Sequence, residues 1–343
     1  MKFQERFKAL KIKWLLRRIR HAKKYGKPMP SLNHFAFDQS VYLGYDPSDL
    51  DLLQFYREKT PQGKDGFITG FFGVRTRVTS LPQSTHELSG KVLGLPWPND
   101  YLAEAAEWIA MIKAVHEAED KFTMMELGSG WGPWLIEGAF SARKKGISDI
   151  HLLGVEADAA HFKTMEQHFR DNGFDPAQHT LLHGAAGTED GTALWAIPDD
   201  PSEVWGHRPV RKETGADEIN AQDDAYRHDT VGERPMQEVQ VFDVKKLLRQ
   251  KPLWNLVHID IQGWEANVVA DAISELDTRV HRLVIGTHSR AIEGRLFEIM
   301  HAQGWELEAE KPCQFHYYGQ HAELDSMTYV DGVQCWRNPR VTL

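Results

Sequence analysis

The segment Glu126-Leu127-Gly128-Ser129-Gly130-Trp131-Gly132 sets three glycines at alternate positions behind a carboxylate. It follows an apolar run and opens a helical pattern. Glycine lets the backbone turn tightly and approach a ligand closely, and the helix that follows offers free N–H groups and the positive end of its dipole. A dinucleotide fingerprint requires G-x-G-x-x-G. Glycines at 128, 130 and 132, with Pro133 next, break that form. Glu126 would repel a pyrophosphate but suits a ligand that carries an ammonium group. S-adenosylmethionine has both an α-ammonium and a sulfonium, and it is the expected ligand of Glu126, Gly128, Ser129, Gly130 and Trp131. The competing reading is a tight turn with no ligand.

Four further clusters follow. In Gly154-Val155-Glu156-Ala157-Asp158, Glu156 ends a strand at the spacing of a ribose-binding acid, with Ala157 beside it. Asp158 reads instead as a helix N-cap. The small residues of His183-Gly184-Ala185-Ala186-Gly187 leave room for a flat adenine ring, Ala185 among them, or mark a plain turn. Leu256-Val257-His258-Ile259-Asp260-Ile261-Gln262-Gly263-Trp264-Glu265 is a buried parallel strand running into polar residues and a helix. Ligands of open α/β sheets sit outside the carboxyl ends of the strands. Asp260 is therefore expected at the reacting centre as a base, a sulfonium neighbour or a metal ligand, with a helix cap as the bland alternative. Glu265 reads as a first-turn acid. In Gly286-Thr287-His288-Ser289, His288 has the pKa to take a hydroxyl proton, although a lone histidine is more often structural. Asp260 and His288 alone are too few ligands to assign a divalent cation, and none is assigned. Trp195, Trp205 and Trp264 could stack on a sugar ring or pack in a core.

These residues need a scaffold that gathers strand ends. From Phe122 to about Pro312, short apolar runs alternate with helical patterns, which predicts βαβ units and a doubly wound, mostly parallel sheet. Before it, a strong amphipathic helix is expected over Asn99–Glu117, with Tyr101 and Leu102 on its apolar face. Residues 1–120 are expected to form an N-terminal extension and 121–343 the main domain. The polar stretch 199–235 is too long for an ordinary connection and reads as a lid, a substrate loop or disorder.

Composition narrows the classes. The chain of 343 residues is 41% hydrophobic and 26% charged, with a formal charge of −9 and two cysteines. Two thiols make neither a disulfide framework nor a four-cysteine zinc site. No apolar run is long enough to span a bilayer, and the N-terminus lacks a signal-peptide pattern, so a cytoplasmic location is expected. Residues 1–27 hold eleven Lys or Arg against Glu5 alone, which leaves the rest strongly acidic. The acidic body argues against nucleic acid as substrate. The basic segment has a loose apolar stripe and could touch an anionic membrane or pack on the body. Oligomeric state is left open.

Taken together, Met125–Gly132, Val155-Glu156-Ala157, His258–Glu265 and the strand ending in Thr287-His288-Ser289 resemble the FkbM family of methyltransferases over roughly residues 120–310. The resemblance implies a class I, Rossmann-like methyltransferase fold and methylation of a hydroxyl, often on a sugar, glycolipid or polyketide. It implies that Glu126, Gly128 and Gly130 hold the methionine part of S-adenosylmethionine, Glu156 the ribose, and Asp260 the transfer centre. Family members often carry Lys where this chain has His258, so His258 either takes over a catalytic role with a different pKa or that role has moved. The rival classes are a nucleotide-binding enzyme and a non-catalytic binding module on the same fold.

Overall fold

A computed structural model describes residues 42–198, 200–202, 204, 210–211, 235–317 and 327–342. The basic segment and most of the 199–235 stretch, Trp205 included, lie outside the described residues. The elements run in chain order as helix α1 (Pro47–Tyr56), strands β1 (Phe67–Thr69) and β2 (Arg75–Arg77), helix α2 (Ala105–Glu117), β3 (Lys121–Leu127), α3 (Pro133–Lys145), β4 (Asp149–Glu156) and α4 (Ala159–Asp171). Then come β5 (Thr180–Gly187), β6 (Gly191–Ala196), β7 (Val210–Arg211), β8 (Met236–Asp243), α5 (Val244–Leu248), β9 (Trp254–Ile259), α6 (Glu265–Arg279), β10 (Val280–Thr287) and α7 (Arg290–Ala302). Strands β11 (Glu306–Lys311), β12 (Gln314–Phe315), β13 (Thr328–Val330) and β14 (Gly332–Arg337) close the described chain.

Ten of these strands form one sheet in the order β11-β14-β10-β9-β3-β4-β5-β8-β6-β7. Strands β10, β9, β3, β4, β5 and β8 pair in parallel. Strand β14 runs antiparallel between β10 and β11. This is a doubly wound, mostly parallel α/β fold. From the central β3 the chain winds out through β4 and β5, then places β9 and β10 on the other side. The direction of winding reverses at β3, and such a reversal opens a crevice at the carboxyl ends of the central strands.

Helices cover both faces. One layer packs Trp108, Ile109, Ile112 and Val115 of α2 and Leu135 and Ile136 of α3 on Phe122, Met124, Leu256 and Val284. The other packs Val268, Val269 and Leu276 of α6 and Leu296 and Met300 of α7 on Met125, Val257, Leu283 and Ile285. Each fully buried aliphatic side chain contributes about 2 kcal/mol. Residue 120 is no break in packing: Tyr42, Leu53, Tyr56 and Phe72 belong to the first of these cores, and Tyr42–Leu343 is one compact unit. Residues before 120 thus share this apolar layer with α3.

Three expectations differ from the structure in detail. Helix α2 starts at Ala105 instead of Asn99. The Asp100 side chain accepts hydrogen bonds from Leu102 N (2.9 Å) and Ala103 N (3.0 Å), closing a turn, and Glu104 and Glu107 then form a capping box. The stretch His183–Gly187 is strand throughout, because β8 pairs with Gly184–Gly187. A Cβ on Gly184 would meet Gln240 O at 2.4 Å, so that close pairing needs glycine. Strand β14 is absent from the sequence-based reading. It is buried on both faces, so it shows no alternation, and the polar Gln334 at its centre, which accepts from Trp336 Nε1 (3.2 Å), disguises it further.

Candidate active site

The Gly-rich turn is fixed by its own backbone. Gly128, Gly130 and Gly132 have φ of 75°, 52° and 68°, conformations natural to glycine. Gly128 N and Ser129 N donate to Val155 O at 3.0 and 2.9 Å, tying the turn to β4. A Cβ on Gly128 would lie 1.8 Å from Asp260 O, so the turn also sits directly on the end of β9. Ser129 Oγ donates to Glu126 O (2.7 Å) and accepts from Val155 N (3.0 Å). Its hydroxyl braces the turn, and the residue borders the cavity.

That cavity, of about 530 Å³, opens where the crevice is expected, a volume within the range of small-molecule sites. Glu126, Gly128, Ser129, Gly130, Trp131, Glu156, Ala157, Ala185, His258 and Asp260 all line it. The structure thus gathers these expected residues into one site. Trp195 and Trp264 line it too. His288 does not; it lies behind Asp260.

Two carboxylates are held at strand ends with almost no water. Glu126 Oε2 accepts from Leu135 N (3.2 Å) at the start of α3. Burial pushes its pKa well above the ordinary range, and the negative charges of Asp260 and Glu156 add to the effect. Glu156 accepts from Gly130 N and Asp158 N, both at 2.7 Å. Burial pushes its pKa up to about 7, against the lowering effect of those two N–H groups. Asp158 caps α4 through Ala160 N (2.8 Å) and His161 N (3.0 Å), as its spacing predicts.

Across the cavity, three ionisable side chains form a row. His288 Nε2 lies 3.3 Å from Asp260 Oδ1, and its Nδ1 lies 3.1 Å from Glu265 Oε1. Glu265 is fully buried and accepts from Ile261 N (3.0 Å) and Gly263 N (2.9 Å), so it also shapes the loop after β9. Gln262 in that loop has φ of 56° and donates to Asp260 Oδ1 at 3.0 Å. Burial opposes charge on His288, but Glu265 and Asp260 override it and hold the imidazole well above its usual pKa. Burial likewise raises Asp260, but the facing His288 wins and keeps this carboxyl below its usual range. The two neighbouring acidic side chains therefore favour the charged form of His288. One ligand atom from each of the three lies within 4.8 Å of the others, a donor set that could hold a cation. In the described geometry both ring nitrogens already face carboxylates.

The sequence reading missed Glu107, Tyr101 and Asp331, which also line the cavity. Glu107 reaches it from the first turn of α2, and Asp331 from the link between β13 and β14. Neither sits in a motif. The short link Asp331-Gly332 after a strand was the one local signal.

No protein-family model matches the chain. A protein of Jannaschia sp. (strain CCS1) that carries the name of a methyltransferase is 34% identical over 274 residues, which span 80% of this chain and 93% of that protein. The chain belongs to the methyltransferases. Solved structures similar to this methyltransferase include precorrin-6y C5,15-methyltransferase from Geobacter metallireducens, with a TM-score of 0.36 and 10% identity over 69% of this chain and 88% of that one. Another is precorrin 8w decarboxylase of Methanobacterium thermoautotrophicum, with a TM-score of 0.37 and 9% identity over 71% and 95%. No helix among the described residues is long and apolar enough to cross a membrane.

Proposed function

We propose that this methyltransferase uses S-adenosylmethionine, is of the FkbM type, and methylates a hydroxyl of a sugar or glycolipid. The observation that carries the reading is the convergence of Glu126, Glu156 and Asp260, each at the end of a neighbouring parallel strand, on one cavity with the glycine turn between them. Glu156 suits ribose hydroxyls, the small Ala157 and Ala185 leave a slot for the adenine, and Glu126 suits an ammonium. When bound, the donor supplies a methyl group activated by its sulfonium.

The remaining work falls to the chain. Asp260 is the member of the charged row that faces the cavity. It accepts a hydrogen bond from the acceptor hydroxyl, aligns the oxygen for in-line attack and receives its proton at a carboxylate oxygen. A weak base suffices, because the hydroxyl becomes strongly acidic as the new carbon–oxygen bond forms. His288, which does not line the cavity and has Nε2 3.3 Å from Asp260 Oδ1, orients that carboxylate. Positioning supplies much of the rate. Trp195 and Trp264 line the cavity and support a sugar, whose C–H face can stack on an aromatic ring.

The test is transfer of labelled methyl from S-adenosylmethionine to a panel of glycans, glycolipids and polyketides. Turnover is expected on a hydroxyl-bearing glycan, falling about 100-fold or more in Asp260→Asn with donor affinity retained. Full turnover in Asp260→Asn removes the role given to that carboxylate. Transfer only to a non-sugar acceptor replaces the substrate class.

A further inference from the structure

His258 is 4% exposed, lines the cavity, and has no hydrogen-bond partner on either ring nitrogen. A buried polar group left in this way costs about 1–3 kcal/mol unless something satisfies it. Its ring lies 5.4 Å from the Trp134 ring at an interplanar angle of 34°. Parallel pairing sets His258 beside Glu126, so both side chains leave the same face of the sheet. Glu107 Oε1 stands 3.6 Å from His258 Nε2, near enough to share a ligand and too far for a hydrogen bond. Three groups from three elements therefore meet at one end of the cavity: two carboxylates and one imidazole with free nitrogens.

That set matches a zwitterion. An ammonium is met by carboxylates, and a carboxylate needs N–H donors. Among the described lining residues there is no Lys or Arg. The other lining histidine, His161, already has Nε2 at 2.6 Å from Pro201 O. His258 is the lining side chain whose ring nitrogens are open to a ligand carboxylate. Resting on the donor reading above, we infer that His258 and Glu107, with Glu126, form the subsite that grips the α-amino-acid end of the methyl donor. Residues 42–120 thereby contribute to donor binding through Glu107, and His258 is a donor-binding residue instead of the proton acceptor.

The test is calorimetric titration with two ligands that share adenosine and a neutral sulfur. S-adenosylhomocysteine carries the amino-acid end; 5′-methylthioadenosine does not. Glu107→Gln retains an oxygen for the capping hydrogen bond from Glu104 N, made at 3.1 Å in the wild type. His258→Phe retains a flat ring against Trp134, and His258→Gln restores one donor; thermal melting checks that each variant is folded. The expected result is an S-adenosylhomocysteine affinity at least tenfold weaker in Glu107→Gln and His258→Phe, partly recovered in His258→Gln, with 5′-methylthioadenosine unchanged. Equal shifts for both ligands, no shift for either, or equal affinity of the wild type for the two ligands would overturn the subsite while leaving the donor reading in place. Failure of the wild type to bind either ligand would overturn the donor reading itself.

Discussion

At the scale of single residues, the site is a set of carboxylates whose charge is controlled by burial and by their neighbours. Glu156 shows this most directly. Its raised pKa means that the folded protein binds a proton there more tightly than the unfolded chain. This group's contribution to stability is thus greatest at low pH and fades as pH rises from the ordinary carboxylate range to about 7. Ribose hydroxyls are bound best by the ionised form. The dissociation constant for S-adenosylhomocysteine should therefore climb as pH falls through about 7, and Glu156→Gln should flatten that dependence. A wild-type profile level from pH 6 to 8 would contradict the role of Glu156. Glu126, Gly128, Glu156 and Asp260 were legible in the sequence because each lies at a strand end within a local motif. Glu107 and Asp331 were not, because they enter the cavity from distant segments whose local pattern reports only packing. Ser129 was legible as part of the turn, but its hydroxyl serves the backbone.

At the scale of elements, helix α2 is tied to the sheet by a buried cation. Arg282 on β10 is 2% exposed. It donates to Glu308 of β11 at 2.9 and 3.0 Å and to both carboxylate oxygens of Glu117 at the end of α2. Burial raises the pKa of Glu308, and Arg282 more than reverses that shift. With its folded pKa depressed, Glu308 contributes stability above the ordinary glutamate pKa and loses it as pH falls through the lowered value. Arg282→Ala leaves Glu308 without its partner and should cost about 3 kcal/mol at neutral pH by urea unfolding, and less at pH 3. An unchanged unfolding midpoint would show that the helix and the sheet edge are held by apolar contacts alone. The principal βαβ elements could be read from the sequence, because alternating apolar runs and helical periods are strong signals. The ends of α2 and the whole of β14 could not. The first depends on an Asp100 side chain closing a turn, and the second on tertiary burial that hides the period of a strand.

At the scale of the whole molecule, the direction of winding reverses at β3, so three acidic strand ends share one crevice. The fold class was legible from the order of elements alone. Helices before and after residue 120 share one apolar layer, a tertiary fact that no local pattern reports. Membership in the methyltransferases rests on similarity along 80% of the chain, and the proposal of a sulfonium donor rests on the acidic cavity. The measurement that bears most directly on that claim is calorimetric titration of the full chain with S-adenosylmethionine, S-adenosylhomocysteine and NAD. The expected result is micromolar affinity for the first two and none for NAD. Binding of NAD with neither of the others, by protein shown to be folded, would contradict it.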